Sequence, residues 1–123
     1  MNTNTLKAVY FVGAGGIGMS ALVRYFLSKG KAVGGYDRTA SALTEKLRQE
    51  GADIHYEDNV ALIPEVFLNP ETTLIVYTPA IPAEHKELTC FREHNFEIQK
   101  RAQVLGMITQ TERGLCVAGT HGK

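Results

Sequence analysis

The stretch VYFVGAGGIGMSALVRYF constrains the fold more than any other part of the chain. LKAVYFVG is a short apolar run, rich in β-formers and closed by glycine, as a strand buried on both faces requires. From Gly16 to Lys29 the apolar positions Ile17, Ala21, Leu22, Tyr25 and Phe26 recur at helical spacing, and Gly30 supplies the stop. Between strand and helix stand Gly13, Gly15 and Gly18, in the spacing GxGxxG. A strand that enters a helix through such a loop predicts a parallel sheet with helices packed on it.

The rest of the chain repeats that alternation. KAVGGYD reads as a second strand, SALTEKLRQEG as a helix with Ser41 at its N-cap and Gly51 at its end, and ADIHY as a third strand. Residues Asn59 to Leu68 are expected to be helical, with Pro64 interrupting the pattern. TTLIVYT is a fourth strand, Glu84 to His94 a helix, FEIQ a fifth strand, Arg101 to Thr111 another helix, and GLCVAG a last strand. The fold class expected is α/β: a Rossmann-like, doubly wound, mostly parallel sheet in a single domain.

The loop glycines carry distinct duties in that setting. One permits the tight turn, one lets the backbone approach a pyrophosphate, and one lets the helix pack closely on the strand. Backbone N–H groups at the helix N-terminus then meet the anion at the favourable end of the helix dipole. Ser20 offers a hydroxyl there, unless it is simply a first-turn helix residue. Asp37 ends the second strand about twenty residues on, where an acid hydrogen-bonds ribose hydroxyls. Arg38 follows it, set to contact a phosphate, stack on a base, or lie in solvent. The loop specifies a dinucleotide or a nucleoside diphosphate without choosing between them.

Other features are weaker. YTPAIP follows the fourth strand at the same sheet edge, with Thr78 offering a hydroxyl and Pro79 and Pro82 stiffening the turn. It is a wall for a ring or an ordinary strand-to-helix turn. His55, His85, His94 and His121 show no metal-ligand spacing, and a surface position is expected for the first three. No nucleophile–base arrangement and no pair of carboxylates stands out, and no metal site is expected. Arg101 reaches for a phosphate or is a solvated charge. Cys90 and Cys116 sit in apolar stretches and read as small hydrophobes of a reducing cytosol. Thirteen basic residues balance thirteen acidic ones, which gives no reason to expect a nucleic-acid or membrane partner. MNTNTLKAVYFVG has neither the basic start nor the apolar stretch of a signal peptide, so a cytoplasmic protein is expected.

A second phosphate signal closes the chain, in Gly119, Thr120, His121, Gly122 and Lys123. The general phosphate-loop pattern requires a glycine where this chain has Val117, so that pattern fails. A strand, a glycine, a small hydroxyl residue and a Gly-Lys pair remain, read either as the opening of such a loop or as a tail.

FVGAGGIGMSAL, GGYD, YTPAIP, RAQVL and VAGTHGK, in this order and separation, resemble the N-terminal domain of the Mur ligases over essentially the whole chain. The resemblance implies an ATP-dependent ligase of peptidoglycan synthesis whose first domain holds the UDP part of UDP-N-acetylmuramate. GGIGMS followed by AGTHGK favours the member that adds L-alanine, over the one that joins a recycled tripeptide to the same sugar nucleotide. It implies that Gly13, Gly15, Gly16, Ile17, Gly18, Met19 and Ser20 face the pyrophosphate, that Asp37 and Arg38 lie near the uridine, and that Thr78, Pro79 and Ala80 lie beside the uracil. Residues 1–118 are then the UDP-binding domain, and Gly119 to Lys123 begin the ATP site of the next. ATP, Mg²⁺ and L-alanine belong to the whole enzyme; no cofactor and no catalysis are expected of this chain alone. Two positions depart from the family pattern. Tyr36 stands where serine is frequent, and Thr78-Pro79 where Ser-Ser is frequent, so one N–H beside the uracil is missing. The competing reading is an NAD(P)-binding regulatory or dehydrogenase module, which has no use for AGTHGK.

Overall fold

The computed structural model describes residues 6–15, 18–78, 81–82, 84–106 and 108. Its centre is β1 (Ala8–Val12), five residues all buried. β1 pairs in parallel with β2 (Ala32–Tyr36) on one side and with β4 (Thr73–Tyr77) on the other. β3 (Asp53–His55) extends the sheet beyond β2, and β5 (Glu97–Lys100) extends it beyond β4. The order β3-β2-β1-β4-β5 makes a five-stranded, wholly parallel sheet.

Side chains alternate across the sheet and build two cores. Val9, Phe11, Leu74 and Val76 face α1 (Met19–Ser28) and α2 (Ala42–Gln49), meeting Met19, Leu22, Val23, Phe26 and Leu47 in one buried cluster. Val104, from the helical residues 101–106, joins the same cluster. Ala8, Tyr10, Val12 and Ile75 face the other way, onto Phe67 and onto Leu88 and Phe91 of α3 (Lys86–Glu93). Helices therefore cover both faces, as expected of a doubly wound sheet. After β2 and β3 the chain returns across β1 to β4, so the order reverses between β1 and β4, where such folds open a ligand crevice.

Most expected elements are present with ends shifted by a few residues. Ser41 caps α2 through a reciprocal pair: its hydroxyl accepts from the Thr44 amide at 3.2 Å, and Thr44 Oγ1 accepts from the Ser41 amide at 2.8 Å. The helix expected over Asn59 to Leu68 is instead two short 3₁₀ turns, Val60–Leu62 and Glu65–Phe67. Pro64 explains the break: it has no amide hydrogen, and it holds Ile63 extended at φ −71°, ψ 119°. Cys116, the end of the helix expected from Arg101, the strand expected in GLCVAG, and residues 119–123 lie outside the described residues.

Candidate nucleotide cleft

The exits of β1, β2 and β4 are stitched together at the switch point. The amides of Gly13 and Ala14 both donate to the Tyr36 carbonyl, at 2.7 and 2.9 Å, tying the glycine loop to the end of β2. The Asp37 amide donates to the His55 carbonyl at 3.1 Å, which fixes the next residue of that strand. A cleft of about 350 Å³ opens between these ends; Gly13, Gly15, Asp37, Arg38, Thr78 and His85 line it.

Each glycine of GxGxxG has a specific neighbour. Gly13 sits at φ +98°, and a Cβ there would lie 3.2 Å from the Thr78 hydroxyl. A Cβ on Gly15 would collide with the Asp37 carboxylate and come within 2.9 Å of Thr44 Cγ2. Gly18, at φ +80°, precedes the first turn of α1, and a Cβ there would lie 2.9 Å from Arg101 Nη1. The loop thus requires glycine twice for backbone conformation and three times for side chains drawn against it.

The sequence-derived residues fall out as follows. Gly13, Gly15, Asp37, Arg38 and Thr78 come together around one cleft. Gly18 and Ser20 stand at the start of α1. Met19 is fully buried in the core, so only its backbone faces the loop. Gly16, Ile17, Pro79 and Ala80 lie outside the described residues, as do Gly119 to Lys123. Arg101, whose two readings were a phosphate contact and a solvated charge, is half-buried with its guanidinium against Gly18, beside the N-terminus of α1.

The histidine expectation needs correction. His94 is exposed, but His85 is buried and His55 half-buried. His55 Nε2 lies 2.6 Å from Glu87 Oε2, and the Glu87 side chain is wholly buried. His85 lines the cleft with its ring edge-on to Tyr36, the centroids 4.7 Å apart. Sequence reading missed both because the charge partners, Asp58 and Glu87, are distant in sequence or hidden on a helix. One signal was available: Glu87 shares the buried face of α3 with Leu88 and Phe91, where a carboxylate needs partners. Burial first, then the Asp58, Glu87 and Asp37 carboxylates, push the Tyr36 hydroxyl above the usual phenol range.

Chemically the cleft offers a glycine-loop backbone and a guanidinium at one end and a carboxylate at its middle. A hydroxyl, an imidazole and the apolar Ile81 and Pro82 form the far wall. Among the described residues no group of three His, Cys, Asp or Glu side chains is placed to hold a metal ion. No helix among them is long and apolar enough to cross a membrane.

Comparison with known proteins agrees with this geometry. A sequence model described as "Mur ligase family, catalytic domain" matches residues 8–113. UDP-N-acetylmuramate–L-alanine ligase of Parabacteroides distasonis is 72% identical over 123 residues, covering 100% of this chain and 27% of that protein. The protein of the same name from Flavobacterium johnsoniae is 55% identical over 123 residues, again 27% of its length. The chain thus spans about a quarter of the length of these curated relatives. The crystal structure of UDP-N-acetylmuramate-alanine ligase from Thermotoga maritima superposes with a TM-score of 0.76 at 27% identity, over 85% of this chain and 23% of that one. A Neisseria UDP-N-acetylmuramate:L-alanyl-γ-D-glutamyl-meso-diaminopimelate ligase shares the fold, with a TM-score of 0.68 at 18% identity.

Proposed function

Because the chain belongs to the Mur ligase family, we propose that its cleft seats the UDP end of UDP-N-acetylmuramate. It does so as the N-terminal part of an ATP-dependent ligase that joins L-alanine to that sugar nucleotide in cytoplasmic cell-wall synthesis. The observation that carries the reading is the convergence of Gly15, Asp37, Thr78 and Arg101 on one switch-point crevice, in a chain 72% identical to ligases of that name.

The roles follow from chemistry. Amides of the glycine loop and the first turn of α1 donate to the diphosphate, and the Arg101 guanidinium neutralises it. The backbone of Gly16, Ile17, Gly18 and Met19 and the Ser20 hydroxyl belong to that anion end. Asp37 accepts from ribose hydroxyls, with Arg38 beside it at the rim. Thr78, Pro79 and Ala80 stand at the base. Residues 1–118 form this UDP domain, and Gly119 to Lys123 open the phosphate loop of an ATP domain that follows. ATP, Mg²⁺ and alanine are handled there, so no step of amide formation is assigned to the cleft.

Calorimetric titration of the purified chain with UDP-N-acetylmuramate and with NADH tests the reading. Heat with the sugar nucleotide is expected; heat with NADH alone would overturn it in favour of a dinucleotide module.

A further inference from the structure

Behind the residues assigned to UDP lies a buried polar atom that the site has not used. His85 Nε2 has no hydrogen-bond partner and is shut off from solvent, and its side chain is only 6% exposed. A buried donor or acceptor left unpaired is costly and in native proteins asks for an explanation.

The ring is held rather than loose. It stands edge-on to Tyr36, Nδ1 accepts the Leu88 amide at 3.5 Å, and Asp58 Oδ1 lies 3.3 Å from the same nitrogen. Asp58 is itself fixed, accepting from the amides of Lys86 and Glu87 at 2.9 and 3.0 Å. These contacts decide where the proton sits. An amide can donate to Nδ1 only if that nitrogen carries no hydrogen, which places the neutral ring's proton on Nε2. If the ring is instead protonated beside the Asp58 carboxylate, Nε2 still carries a hydrogen. In both states Nε2 is a donor.

The cleft says what such a donor meets. Phosphates are drawn toward Gly18 and Arg101, and ribose hydroxyls toward Asp37. The remaining wall is Tyr36, Thr78, Ile81, Pro82 and His85, mostly apolar and fit for a flat ring, with His85 as its imidazole. We propose that His85 is the residue that selects the base, its Nε2–H donating to the ring carbonyl that distinguishes uracil from cytosine. This rests on the nucleotide reading given above. Cytosine carries an amine at the same ring position, so two donors would face each other.

The test compares UDP with CDP on the purified chain by calorimetry, in the unaltered protein and in His85→Phe, which keeps a ring and removes the donor. The unaltered chain is expected to prefer UDP by about tenfold or more. His85→Phe should bring the two affinities within about twofold, chiefly by weakening UDP. An undiminished preference in a folded His85→Phe overturns the role. Should that variant not fold, the imidazole nitrogen-15 spectrum of the unaltered chain decides. The His85 Nε2–H resonance moves with UDP and not with CDP if the role is right, and stays still with both if it is wrong. Equal affinity of the unaltered chain for UDP and CDP also overturns base selection, yet leaves the UDP cleft standing. Binding of neither nucleotide overturns both.

Discussion

The Tyr10 hydroxyl donates to Glu87 Oε1 at 2.6 Å, joining the central strand to α3 across 77 positions of sequence. The other carboxylate oxygen takes His55 Nε2 at 2.6 Å and the Asn59 amide at 3.1 Å. One wholly buried acid therefore ties β1, β3 and the segment after β3 to the helix whose first turn carries His85. Removing a single donor should be felt. Tyr10→Phe keeps the ring packed on Phe67 and Phe91 but withdraws the hydroxyl, and a loss of about 1–3 kcal/mol is expected. Urea denaturation at neutral pH reads it; an unchanged midpoint would show that the contact contributes nothing.

The same bond sets an alkaline limit. Burial first, and then the Glu87 carboxylate, raise the Tyr10 hydroxyl far above its ordinary value of about 10. The folded state keeps that proton where the unfolded chain releases it, so the contribution is intact below about pH 10 and is lost progressively above. Tyr36 is raised in the same direction. Stability should fall as pH climbs past about 10, and Tyr10→Phe should remove up to about 1.4 kcal/mol per pH unit of that slope. Parallel slopes for the two proteins would contradict the assignment.

Arg101 gives a prediction specific to the anion. Its guanidinium lies against Gly18 at the N-terminus of α1, the end of a helix that favours negative charge. Arg101→Met retains the apolar stem and removes the charge. Affinity for UDP should drop about tenfold or more, with a weaker dependence on salt, while affinity for uridine should stay the same. A parallel loss with uridine would mean that the side chain supports the cleft without touching phosphate.

How much of this was legible beforehand depended on the range of the interaction. β1, the glycine loop and α1 were readable because each rests on local spacing: an apolar run, three glycines, a helical period. Ser41 was readable as a cap because its partner Thr44 is three residues away. The 3₁₀ turns were misread because a helical pattern across Asn59 to Leu68 was weighed above Pro64, whose effect on Ile63 is the stronger. His85 and Glu87 were misplaced for a different reason. Asp58 lies about thirty residues before them and Tyr10 further still, and no spacing rule links positions that only the sheet order brings together.

Gly15 provides the sharpest test of the cleft, because its constraint is a collision rather than a bond. A methyl group there would overlap the Asp37 carboxylate and press on Thr44 Cγ2 at 2.9 Å. Thr44 cannot yield readily, being fully buried and held by the cap with Ser41. Asp37 must therefore move, and with it the acceptor proposed for the ribose. Gly15→Ala is expected to cost about 1–3 kcal/mol of stability and to weaken UDP binding by tenfold or more. Combining it with Asp37→Ala separates the two effects. The double variant loses the obstacle, so its urea midpoint should recover toward that of Asp37→Ala alone, while binding stays poor. If the two substitutions are instead additive in stability, the strain of Gly15→Ala lies against Thr44, and Asp37 is not what the glycine makes room for.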